Sequence, residues 1–594
     1  MRAVSALIDF SSPAEPEAPR LRCAFGEPRE ILVARTPAEV RPLLDSVHAQ
    51  ALQGRWCVGY LRYEAAPAFD AALAVHGADG PLAWFGIHDS AQPWPEACDS
   101  EAQTGAVQLT WKEALPWSAF DRAVARIQRA IAAGALYQVN HTALLQGMLS
   151  GAPDAAPRAR ARALFDALQR AQPGGYAAFI DSGDEQLLSV SPELFFDWRE
   201  RRLLARPMKG TAARGATAEA DAAAAAGLRA SAKERAENVM IVDLLRNDMS
   251  RIAEPFSVCV PRLFHTEALP SVWQMTSDVE ARTRAGCTLA DVFAALFPCG
   301  SVTGAPKVAA MRMIRDLEPG PRGIYCGAVG LVQPGGAATF NVPIRTVTLS
   351  AGTARCGVGS GITADARAES EWQEWRHKRA FLDRASLPFE LLETLALEDG
   401  RLRDAPAHLA RMAEAAAHFG YPWDPDAVMR QLERLSQAHP RDRWRVRLLL
   451  DRRGRTQAQA HAQEAAPAQV RLQLADRRFD AADSEFVRFK TTRRAHYDAF
   501  APTRAGIFDT LLWNRRGEIT ECTRGNVALR LDGRWVTPPL ACGLLGGIAR
   551  ARHLREGRLA EAVVRMQDLP RVQALAFVNS LRGWIDAVLD DAAA

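Results

Sequence analysis

The sequence has little lysine, no long apolar run and no closely spaced pair of cysteines. Its 594 residues contain no stretch of about 18 apolar residues, which excludes a membrane-spanning helix. The first residues lack a basic segment followed by an apolar core, so we expect no secretory leader. The ten cysteines include no CxxC pair, which argues against zinc ligands and disulfides. These absences predict a cytoplasmic protein with reduced thiols.

The charge balance excludes a further group of functions. The formal net charge is +4, although 24% of the residues are charged. That balance gives no reason to expect binding to nucleic acid or to a membrane surface. With 48% hydrophobic residues, the composition is that of an ordinary globular protein. A chain of this length exceeds what one hydrophobic core supports, so two or more domains are expected.

The pattern of strands and helices restarts near residues 384–388. The helical segment "EWQEWRHKRAFLDRA" ends just before Pro388, and "PFELLETLALEDGRLR" then begins a new hairpin. We therefore predict two domains, residues 1–385 and 386–594. The segment "RTQAQAHAQEAAPAQ" (455–469) has low complexity and is interpreted as an exposed connection within the second domain.

The scarcity of lysine makes each lysine informative. Of the 73 Lys and Arg residues, six are lysine. Arginine stays protonated, whereas lysine can lose its proton and act as a nucleophile. Lys209 lies in "RPMKGT", between a proline and a Gly-Thr pair, where a backbone can approach a ligand closely. A solvated loop lysine is the plainer interpretation of this residue taken alone.

Two predicted helices each carry two glutamates three residues apart. These are Glu234 and Glu237 in "KERAEN" and Glu371 and Glu374 in "ESEWQEW". The spacing puts both carboxylates of a pair on one helix face. Four converging carboxylates would repel one another, and oxygen-only ligands favour Mg²⁺ over zinc. Two solvated helix faces are the plainer interpretation of the spacing alone.

Motifs along residues 1 to about 384 resemble the chorismate-utilising enzymes, and among them component I of aminodeoxychorismate synthase. The motifs, in order, are "IAAGALYQVN", "SPELFF", "RPMKGT", "KERAENVMIVDLLRND", "FPCGSVTGAPKVAAM", "RGIYCGAVG", "NVPIRT" and "GVGSGITAD....EWQEW". Anthranilate synthases usually have Ala where this chain has Lys209. The resemblance implies that Lys209 attacks C2 of chorismate and that Glu193, as general acid, helps the C4 hydroxyl to leave. Ammonia then adds at C4.

The resemblance also implies a metal site and a substrate pocket. Mg²⁺ would be surrounded by the four glutamates Glu234, Glu237, Glu371 and Glu374. The implied pocket residues are Gln138, Thr211, Gln274, Thr303, Tyr325, Arg345 and Gly361. Gln138 occupies the place of the lysine that activates water in isochorismate synthases, which argues against that activity. Gln274 departs from the family, which commonly has His there, and a neutral amide cannot carry a proton.

The supply of ammonia is a separate expectation. No segment of the sequence has the nucleophilic cysteine turn of a glutamine amidotransferase. We therefore expect the chain to take ammonia from a separate glutamine amidotransferase subunit or to use free ammonia.

The second domain contains the residues of a minimal pyridoxal phosphate site. Lys490 follows an apolar strand in "VRFKTTRRAHYD", and Glu521 ends a strand in "GEITECTRGNVAL". Such a site needs a lysine for the cofactor aldehyde and a carboxylate for the pyridine nitrogen. Glycines in "PPLACGLLGGIARARHL" precede a helix, whose N-terminus can hold a phosphate. Each feature alone is weak, since a strand-end lysine is most often solvated.

Residues 386–594 resemble the fold-type IV pyridoxal phosphate enzymes, with aminodeoxychorismate lyase as the closest member. The matching segments include "FKTTRRAHYD", "TPPLACGLLGGIAR" and "FVNSLRGW". The resemblance implies that Lys490 is the Schiff-base lysine and proton-transfer base, and that Glu521 pairs with the pyridine nitrogen. The implied phosphate ligands are Arg411, the Gly547, Ile548 and Ala549 backbone, and Ser580. Branched-chain and D-amino acid aminotransferases share this fold, and the preference for lyase rests partly on the neighbouring domain.

Together the resemblances predict a bifunctional enzyme. The expected fold is an N-terminal α+β domain with packed β-sheets and surrounding helices, followed by a fold-type IV pyridoxal phosphate domain. The expected reactions convert chorismate and ammonia to 4-amino-4-deoxychorismate, and then release pyruvate to give 4-aminobenzoate for folate synthesis. Two alternatives stay open. One is an anthranilate synthase or aminodeoxychorismate synthase component I joined to an aminotransferase. The other is a non-catalytic second domain that binds a glutaminase partner.

Overall fold

A computed structural model shows that the chain divides into two compact units, Met1–Pro388 and Phe389–Ala594. The structure describes residues 5–13, 18–95, 108–150, 156–213, 218–268, 272–482 and 484–590. Each unit has a hydrophobic core of its own. Within the described ranges, no helix is both long enough and apolar enough to cross a bilayer.

The first unit mixes strands and helices along its whole length. Its strands are β1 (Ala6–Phe10), β2 (Leu21–Phe25), β3 (Glu30–Ala34), β4 (Trp56–Leu61), β5 (Ala83–His88), β6 (Gln92–Pro93), β7 (Gln108–Lys112), β8 (Gln138–Ser150), β9 (Tyr176–Asp181), β10 (Gln186–Ser191), β11 (Leu194–Arg199), β12 (Arg202–Arg206), β13 (Met208–Ala213), β14 (Cys259–Ala268), β15 (Val272–Arg282), β16 (Gly304–Ala305), β17 (Ala328–Val332), β18 (Ala338–Asn341), β19 (Thr346–Ser350) and β20 (Thr353–Ile362). Its helices are α1 (Pro37–Leu52), α2 (Trp117–Ala132), α3 (Pro157–Ala171), α4 (Ala218–Ala230), α5 (Ala232–Ser250), α6 (Leu289–Leu296), α7 (Lys307–Leu317), α8 (Ala368–Lys378) and α9 (Ala380–Ser386).

These strands form two large sheets in the described part of the unit. One runs in the order β16-β8-β20-β19-β10-β9-β1-β2-β6, with β7 also paired to β8. The other runs β13-β15-β12-β11-β18-β17-β4-β5-β3, with β14 also paired to β15. Strands from both sheets contribute to one core cluster, which includes Ile8 of β1 and Val58 of β4. The two sheets therefore pack face to face.

Helices cover the outer face of each sheet. Leu7 of β1 packs with Phe120 of α2 and Phe165 of α3, while its neighbour Ile8 packs between the sheets. On the other sheet, α1 and α6 pack with Phe85 and Phe340. Every residue of β1 is buried because both of its faces are covered. The layers run helix, sheet, sheet, helix, as the predicted α+β domain requires.

The second unit contains a smaller set of elements. Its strands are β21 (Leu391–Glu398), β22 (Arg401–Leu402), β23 (Arg443–Leu450), β24 (Thr456–Ala462), β25 (Gln469–Leu474), β26 (Asp509–Trp513), β27 (Ile519–Cys522), β28 (Asn526–Leu531), β29 (Arg534–Thr537), β30 (Ala560–Glu561), β31 (Ala574–Asn579) and β32 (Gly583–Leu589). Its helices are α10 (Ala405–Phe419), α11 (Pro425–Ala438), α12 (Glu485–Arg488), α13 (Ala495–Asp498) and α14 (Ile548–Arg555). Among described residues the sheets are β22-β21-β23-β24 and β27-β26-β25-β32-β31-β28-β29-β30.

The prediction of an exposed connection at 455–469 is wrong for residues 456–462. These form the edge strand β24, paired antiparallel to β23. Ala458 and Ala460 pack against the core of the unit, and Gln457 and Gln459 alternate with them on the exposed face. A period of two, which composition alone conceals, is the pattern of a half-buried strand.

Candidate active sites

Strand β13 begins directly after Pro207, and Lys209 is its second residue. The pairing between β13 and β15 shifts register at this point. Gly210 follows with φ +90°, a conformation that glycine adopts without steric cost. A Cβ on Gly210 would come 2.9 Å from Oε2 of Glu234 on α5. Glycine at this position therefore allows the strand that carries Lys209 to approach the first glutamate pair.

The amino group of Lys209 points toward Gly361 of β20. A Cβ placed on Gly361 would lie 3.2 Å from Nζ of Lys209 and 2.1 Å from Nε2 of Gln138. Gln138 is fully buried, and neither atom of its amide has a hydrogen-bond partner in the described part of the chain. Buried amides without partners are costly. The side chains of Lys209 and Gln138 thus converge on Gly361.

Glu193 provides a buried acid in the same unit. It is 3% exposed, and Ser301 donates a hydrogen bond of 2.7 Å to its Oε1. Burial raises the pKa of Glu193, while Ser301 and the charge of Lys209 oppose that rise. Lys209 is therefore within electrostatic range of Glu193, and the net effect favours the protonated acid.

The two glutamate pairs lie on helices, as the spacing predicts. Ser231 caps α5 by accepting from the backbone N–H of Glu234, and α8 carries the second pair. Burial raises the pKa values of Glu234, Glu237 and Glu371. Glu371 and Glu374 add to the rise for Glu234, so the carboxylates of the two helices act on each other.

The carboxylates have partners within the protein. Lys378 lies 2.6 Å from Glu374 and Lys233 lies 3.8 Å from Glu237, while Ser360 donates to Glu371 at 2.6 Å. Among the described residues, no three His, Cys, Asp or Glu side chains already form a metal cluster. The donor set fits a hard dication, because carboxylates with raised pKa values gain most from added positive charge.

Tyr325 covers part of β20, and Arg345 directly precedes β19, which pairs with β20. The ring of Tyr325 covers Gly357 of β20, where a Cβ would come within 2.2 Å of it. Burial raises the pKa of Tyr325 well above its usual range, so its phenol stays protonated. Burial and the charge of Arg384 lower the pKa of Arg345 to about 10. Arg345 pairs with no acidic side chain among the described residues, which suits an anion.

The remaining pocket residues of the first unit, Thr211, Gln274 and Thr303, form hydrogen bonds with one another or with backbone carbonyls. Thr211 donates to Oε1 of Gln274 at 3.1 Å, and Nε2 of Gln274 donates to the carbonyl of Gly210 at 2.8 Å. Gln274 thus holds the turn beside Lys209. Thr303 is buried, and its hydroxyl donates to the carbonyl of Cys299 at 3.2 Å.

Lys490 of the second unit is partly buried and lies two residues after α12, a helical turn that replaces the apolar strand predicted before it. Its carbonyl accepts from the N–H of Leu392 at 3.0 Å, which anchors it to β21. Burial, then the charge of Arg411, lowers the pKa of Lys490 to about 8. A lysine with a pKa of about 8 has a substantial neutral fraction near pH 7–8 and is a competent nucleophile and base.

Glu521 on β27 is the second titratable group there. Tyr497 donates to Oε1 at 2.6 Å, and the N–H of Leu545 donates to Oε2 at 3.2 Å. Burial raises the pKa of Glu521 to about 8, and the charges of Arg494 and Lys490 oppose the rise. Lys490 and Glu521 are therefore within electrostatic range of each other.

A third group of residues can hold an anion. Arg411 on α10 donates from Nη1 to the carbonyl of Gly546 at 2.8 Å, so its guanidinium lies beside the N-terminus of α14. Gly547 caps that helix, and a Cβ there would lie 1.9 Å from Oδ1 of Asn526. Ile548 and Ala549 begin the helix and are buried. Ser580 lies 3.5 Å from the carbonyl of Thr394. A lysine with a lowered pKa, a buried acid and a helix N-terminus with an arginine together fit pyridoxal phosphate.

Several neighbours were not found from the sequence. Ser301 lies in "GSVTGAPK", where nothing in the sequence sets this serine apart from its neighbours. Glu393 is buried and accepts from Nε and Nη2 of Arg411 at 2.7 Å each, and His408 contacts the same carboxylate at 2.7 Å. The sequence offered two signals for this cluster. Glu393 is an acidic residue within a strand, and His408 lies one helical turn before Arg411.

Comparison with known proteins assigns the first unit. Residues 17–384 match the family model described as chorismate binding enzyme. The chain belongs to the chorismate-binding enzymes. The resemblance inferred from the sequence is therefore confirmed. Residues 390–588 match the model for class IV amino-transferases, which implies pyridoxal phosphate as the cofactor of the second unit.

Relatives of this chorismate-binding enzyme carry more than one activity in their names. Aminodeoxychorismate synthase component 1 of Klebsiella aerogenes is 38% identical over 312 residues, which cover 52% of this chain and 67% of that protein. Anthranilate synthase component 1 of Streptomyces coelicolor is 36% identical over 274 residues, covering 46% and 52%. The chain thus spans about two thirds and about half of these relatives.

A solved structure supports the fold of the first unit. The crystal structure of anthranilate synthase component I from Streptococcus pneumoniae covers 64% of this chain and 90% of its own, with a TM-score of 0.50 and 24% identity. At that identity the likeness concerns the fold alone.

Proposed function

We propose that the chain is a bifunctional enzyme that makes 4-aminobenzoate from chorismate and ammonia. The first unit converts chorismate to 4-amino-4-deoxychorismate, and the second releases pyruvate from that product. The observation that carries the proposal is the convergence of Lys209, Gln138 and Gly361 in a chorismate-binding enzyme. An amine at position 209 supplies a nucleophile that the alanine of anthranilate synthases lacks.

In the first unit, Lys209 forms a bond to C2 of chorismate while the C4 hydroxyl leaves. Glu193 gives its proton to that hydroxyl, which departs as water, and its raised pKa keeps the proton available. Ammonia then forms a bond at C4, and the bond between Lys209 and C2 breaks. The added nitrogen loses one proton as the C4 amine forms, and the return of that proton to Glu193 restores the acid for the next turnover.

The substrate's two carboxylates are assigned to two parts of the site. Glu234, Glu237, Glu371 and Glu374 would hold Mg²⁺, whose charge binds the ring carboxylate. The other carboxylate is assigned to Tyr325, Arg345 and the Gly361 amide, because Arg345 has no acidic partner among the described residues. Thr211, Gln274 and Thr303 shape the wall beside Lys209.

In the second unit, pyridoxal phosphate would supply an acceptor for electrons when bound. Lys490 would hold the cofactor aldehyde before substrate arrives and would then move the substrate's proton. Glu521 would pair with the pyridine nitrogen. Arg411, Ser580 and the backbone from Gly547 to Ala549 would bind the phosphate.

Ammonia is proposed to come from a separate glutamine amidotransferase subunit in the cytoplasm. The relative from Klebsiella aerogenes is named component 1, which supports a second component. Free ammonium should replace that partner at sufficient concentration.

The test is to supply the purified chain with chorismate, ammonium, Mg²⁺ and pyridoxal phosphate and to identify the products. We expect 4-aminobenzoate and pyruvate in equal amounts. Lys490→Ala should accumulate 4-amino-4-deoxychorismate, and added lyase should restore 4-aminobenzoate. Lys112→Ala, at an exposed lysine, is the matched control. Anthranilate as the product would overturn the assignment of the first unit.

A second candidate for residues 390–588 is an amino-transferase, because the matching family model carries that description. It predicts exchange of amino groups between amino acids and oxo acids. If the second unit catalyses that exchange and releases no pyruvate from 4-amino-4-deoxychorismate, this candidate replaces the lyase.

A further inference from the structure

Three arginines of the second unit, Arg445, Arg524 and Arg582, form an arginine cluster. The guanidinium groups of Arg524 and Arg582 lie 5.1 and 5.7 Å from the ring centroid of Phe508, so both cations share one aromatic neighbour. Arg445 is exposed on β23, and its charge acts on Arg582. The cluster draws on three separate parts of the chain.

Hydrogen bonds connect this arginine cluster to the proposed cofactor site. The N–H of Arg582 donates to Oδ1 of Asn579 at 2.7 Å, and Nδ2 of Asn579 donates to the carbonyl of Arg524 at 3.3 Å. One residue earlier, the carbonyl of Thr523 accepts from Nη2 of Arg494 at 2.5 Å. The charge of Arg494 contributes to the lowered pKa of Lys490. Arg494 also lies 4.8 Å from the ring centroid of Tyr497, whose hydroxyl donates to Glu521, so the turn that carries Arg524 adjoins the buried acid of the proposed cofactor site.

The charge of the cluster is not balanced. Asp509 is the acid beside it, and it already accepts from the N–H and hydroxyl of Thr523 at 3.1 and 2.5 Å. Its other oxygen accepts from the N–H and Nε of Arg524 at 3.1 and 3.4 Å. The side chains of Arg445 and Arg582 contact no carboxylate in the described ranges. Burial, then the charges of Arg524 and Arg445, lowers the pKa of Arg582.

An excess of guanidinium groups in a fixed position is suited to an anion. Arginine matches the planar, two-oxygen geometry of a carboxylate better than a point charge does. The phosphate of the cofactor has its own proposed ligands at Arg411 and the N-terminus of α14. A substrate carboxylate is the remaining anion that must reach this site.

We propose that Arg524 and Arg582 bind a carboxylate of the substrate, so that the second unit selects ring substrates with two carboxylates over those with one. Arg445 adds long-range attraction. Asn579 acts as a positioning residue, because its side chain joins the two turns. The inference rests on the proposed function only in naming 4-amino-4-deoxychorismate, which has two carboxylates, as the substrate.

A binding experiment on the holoenzyme tests this without turnover. We compare 3-(carboxymethoxy)benzoate, which has two carboxylates, with 3-methoxybenzoate, which has one, by calorimetric titration. The wild type should bind the dicarboxylate on the order of 10- to 100-fold more tightly. Arg524→Gln and Arg582→Gln should each lose most of that preference. Arg534→Gln, at an exposed arginine of β29, should retain it. Equal affinities in the wild type, or an unchanged preference in both cluster variants, would overturn the proposal.

Two further measurements distinguish the substrate carboxylate from the cofactor phosphate as the bound anion, and a failure of this inference from a failure of the proposed function. Titration of the cofactor-free variants with pyridoxal phosphate should give affinities within about 2-fold of the wild type. A loss of cofactor affinity as large as the loss of dicarboxylate affinity would assign the cluster to the phosphate and refute the inference. With substrate, both variants should raise KM for pyruvate release more than they lower kcat. If the wild type releases no pyruvate, the proposed function fails, while the binding titration still decides the role of the arginines.

Discussion

Ser301 donates its hydroxyl hydrogen to Oε1 of Glu193 across 2.7 Å, and both side chains are buried. The bond favours the charged form of Glu193, whereas burial favours the protonated form. Two opposing effects therefore set the pKa of Glu193, the acid assigned to protonate the departing hydroxyl. One of them comes from the neutral side chain of Ser301.

Removing that hydroxyl should change the pH profile of the first unit. Ser301→Ala takes away a bond to the carboxylate form, so the pKa of Glu193 should rise further. Because the protonated acid is the active form, the alkaline limb of kcat for 4-amino-4-deoxychorismate formation should move to higher pH. Ser301→Thr keeps a hydroxyl and should leave the limb near its wild-type position. A limb that stays in place in the alanine variant would argue against Glu193 as the acid.

Replacing Lys209 should remove covalent capture of the substrate. We expect Lys209→Ala to slow ammonia-dependent turnover by roughly 100-fold or more. Mass spectrometry of the intact wild-type protein, denatured after mixing with chorismate without ammonia, should show an adduct that the variant lacks. Lys112→Ala should behave as the wild type in both measurements. Wild-type turnover by Lys209→Ala would rule out the nucleophile.

The metal requirement should follow the glutamates of α8. Glu371→Gln and Glu374→Gln should each raise the Mg²⁺ concentration needed for half-maximal synthase activity by about 10-fold or more, since each loses a charged oxygen ligand. Glu369→Gln, at an exposed position of the same helix, should change it little. Excess chelator should stop the first unit and leave pyruvate release from supplied 4-amino-4-deoxychorismate intact. Full synthase activity in chelator would contradict a metal site.

The combined contribution of Glu521 and Lys490 to the stability of the cofactor-free protein should pass through a minimum near pH 8. Glu521 has a pKa of about 8 in the folded state and 4.5 ordinarily. Between pH 4.5 and 8 the folded state therefore binds more protons than the unfolded state, and stability falls as the pH rises. Lys490 has a pKa of about 8 against an ordinary 10.5, so the unfolded state holds more protons above pH 8 and stability rises again.

Denaturant unfolding at several pH values checks this. Between pH 5 and 8, the wild type should lose on the order of 1–3 kcal/mol relative to Glu521→Gln, which cannot titrate there. Asp532→Asn, at an exposed acid in the turn after β28, should follow the wild type. A pH-independent difference between the wild type and Glu521→Gln would contradict the raised pKa.

Sequence patterns predicted the fold class because strands, helices and family motifs have local signatures. The glutamate pairs lie on helices as predicted, since helical spacing is a property of neighbouring residues. The convergence of Gln138, Lys209 and Gly361 joins three strands from distant parts of the chain, and the family motifs, not spacing, brought them together. Ser301, Tyr497 and Glu393 were missed because a single buried polar residue leaves no pattern in a sequence.

Gln274 shows how a departure from a family motif becomes interpretable only in the fold. The sequence shows that the amide cannot carry a proton. The structure adds that the amide donates to Gly210 and accepts from Thr211, which are bonds that a neutral side chain makes well. Its contribution is to fix the turn that carries Lys209.

The lack of a side chain at Gly361 limits which substitutions this enzyme can accept near Lys209. Since the side chain of Gln138 fills the volume that a Cβ would need, a mutation at 361 is also a mutation of the amide's orientation. Laboratory evolution toward other nucleophiles should therefore succeed through changes at 138 and 209 and fail in lineages that first replace 361. Gly361 therefore constrains the order of substitutions, because position 361 can change only after position 138 has changed.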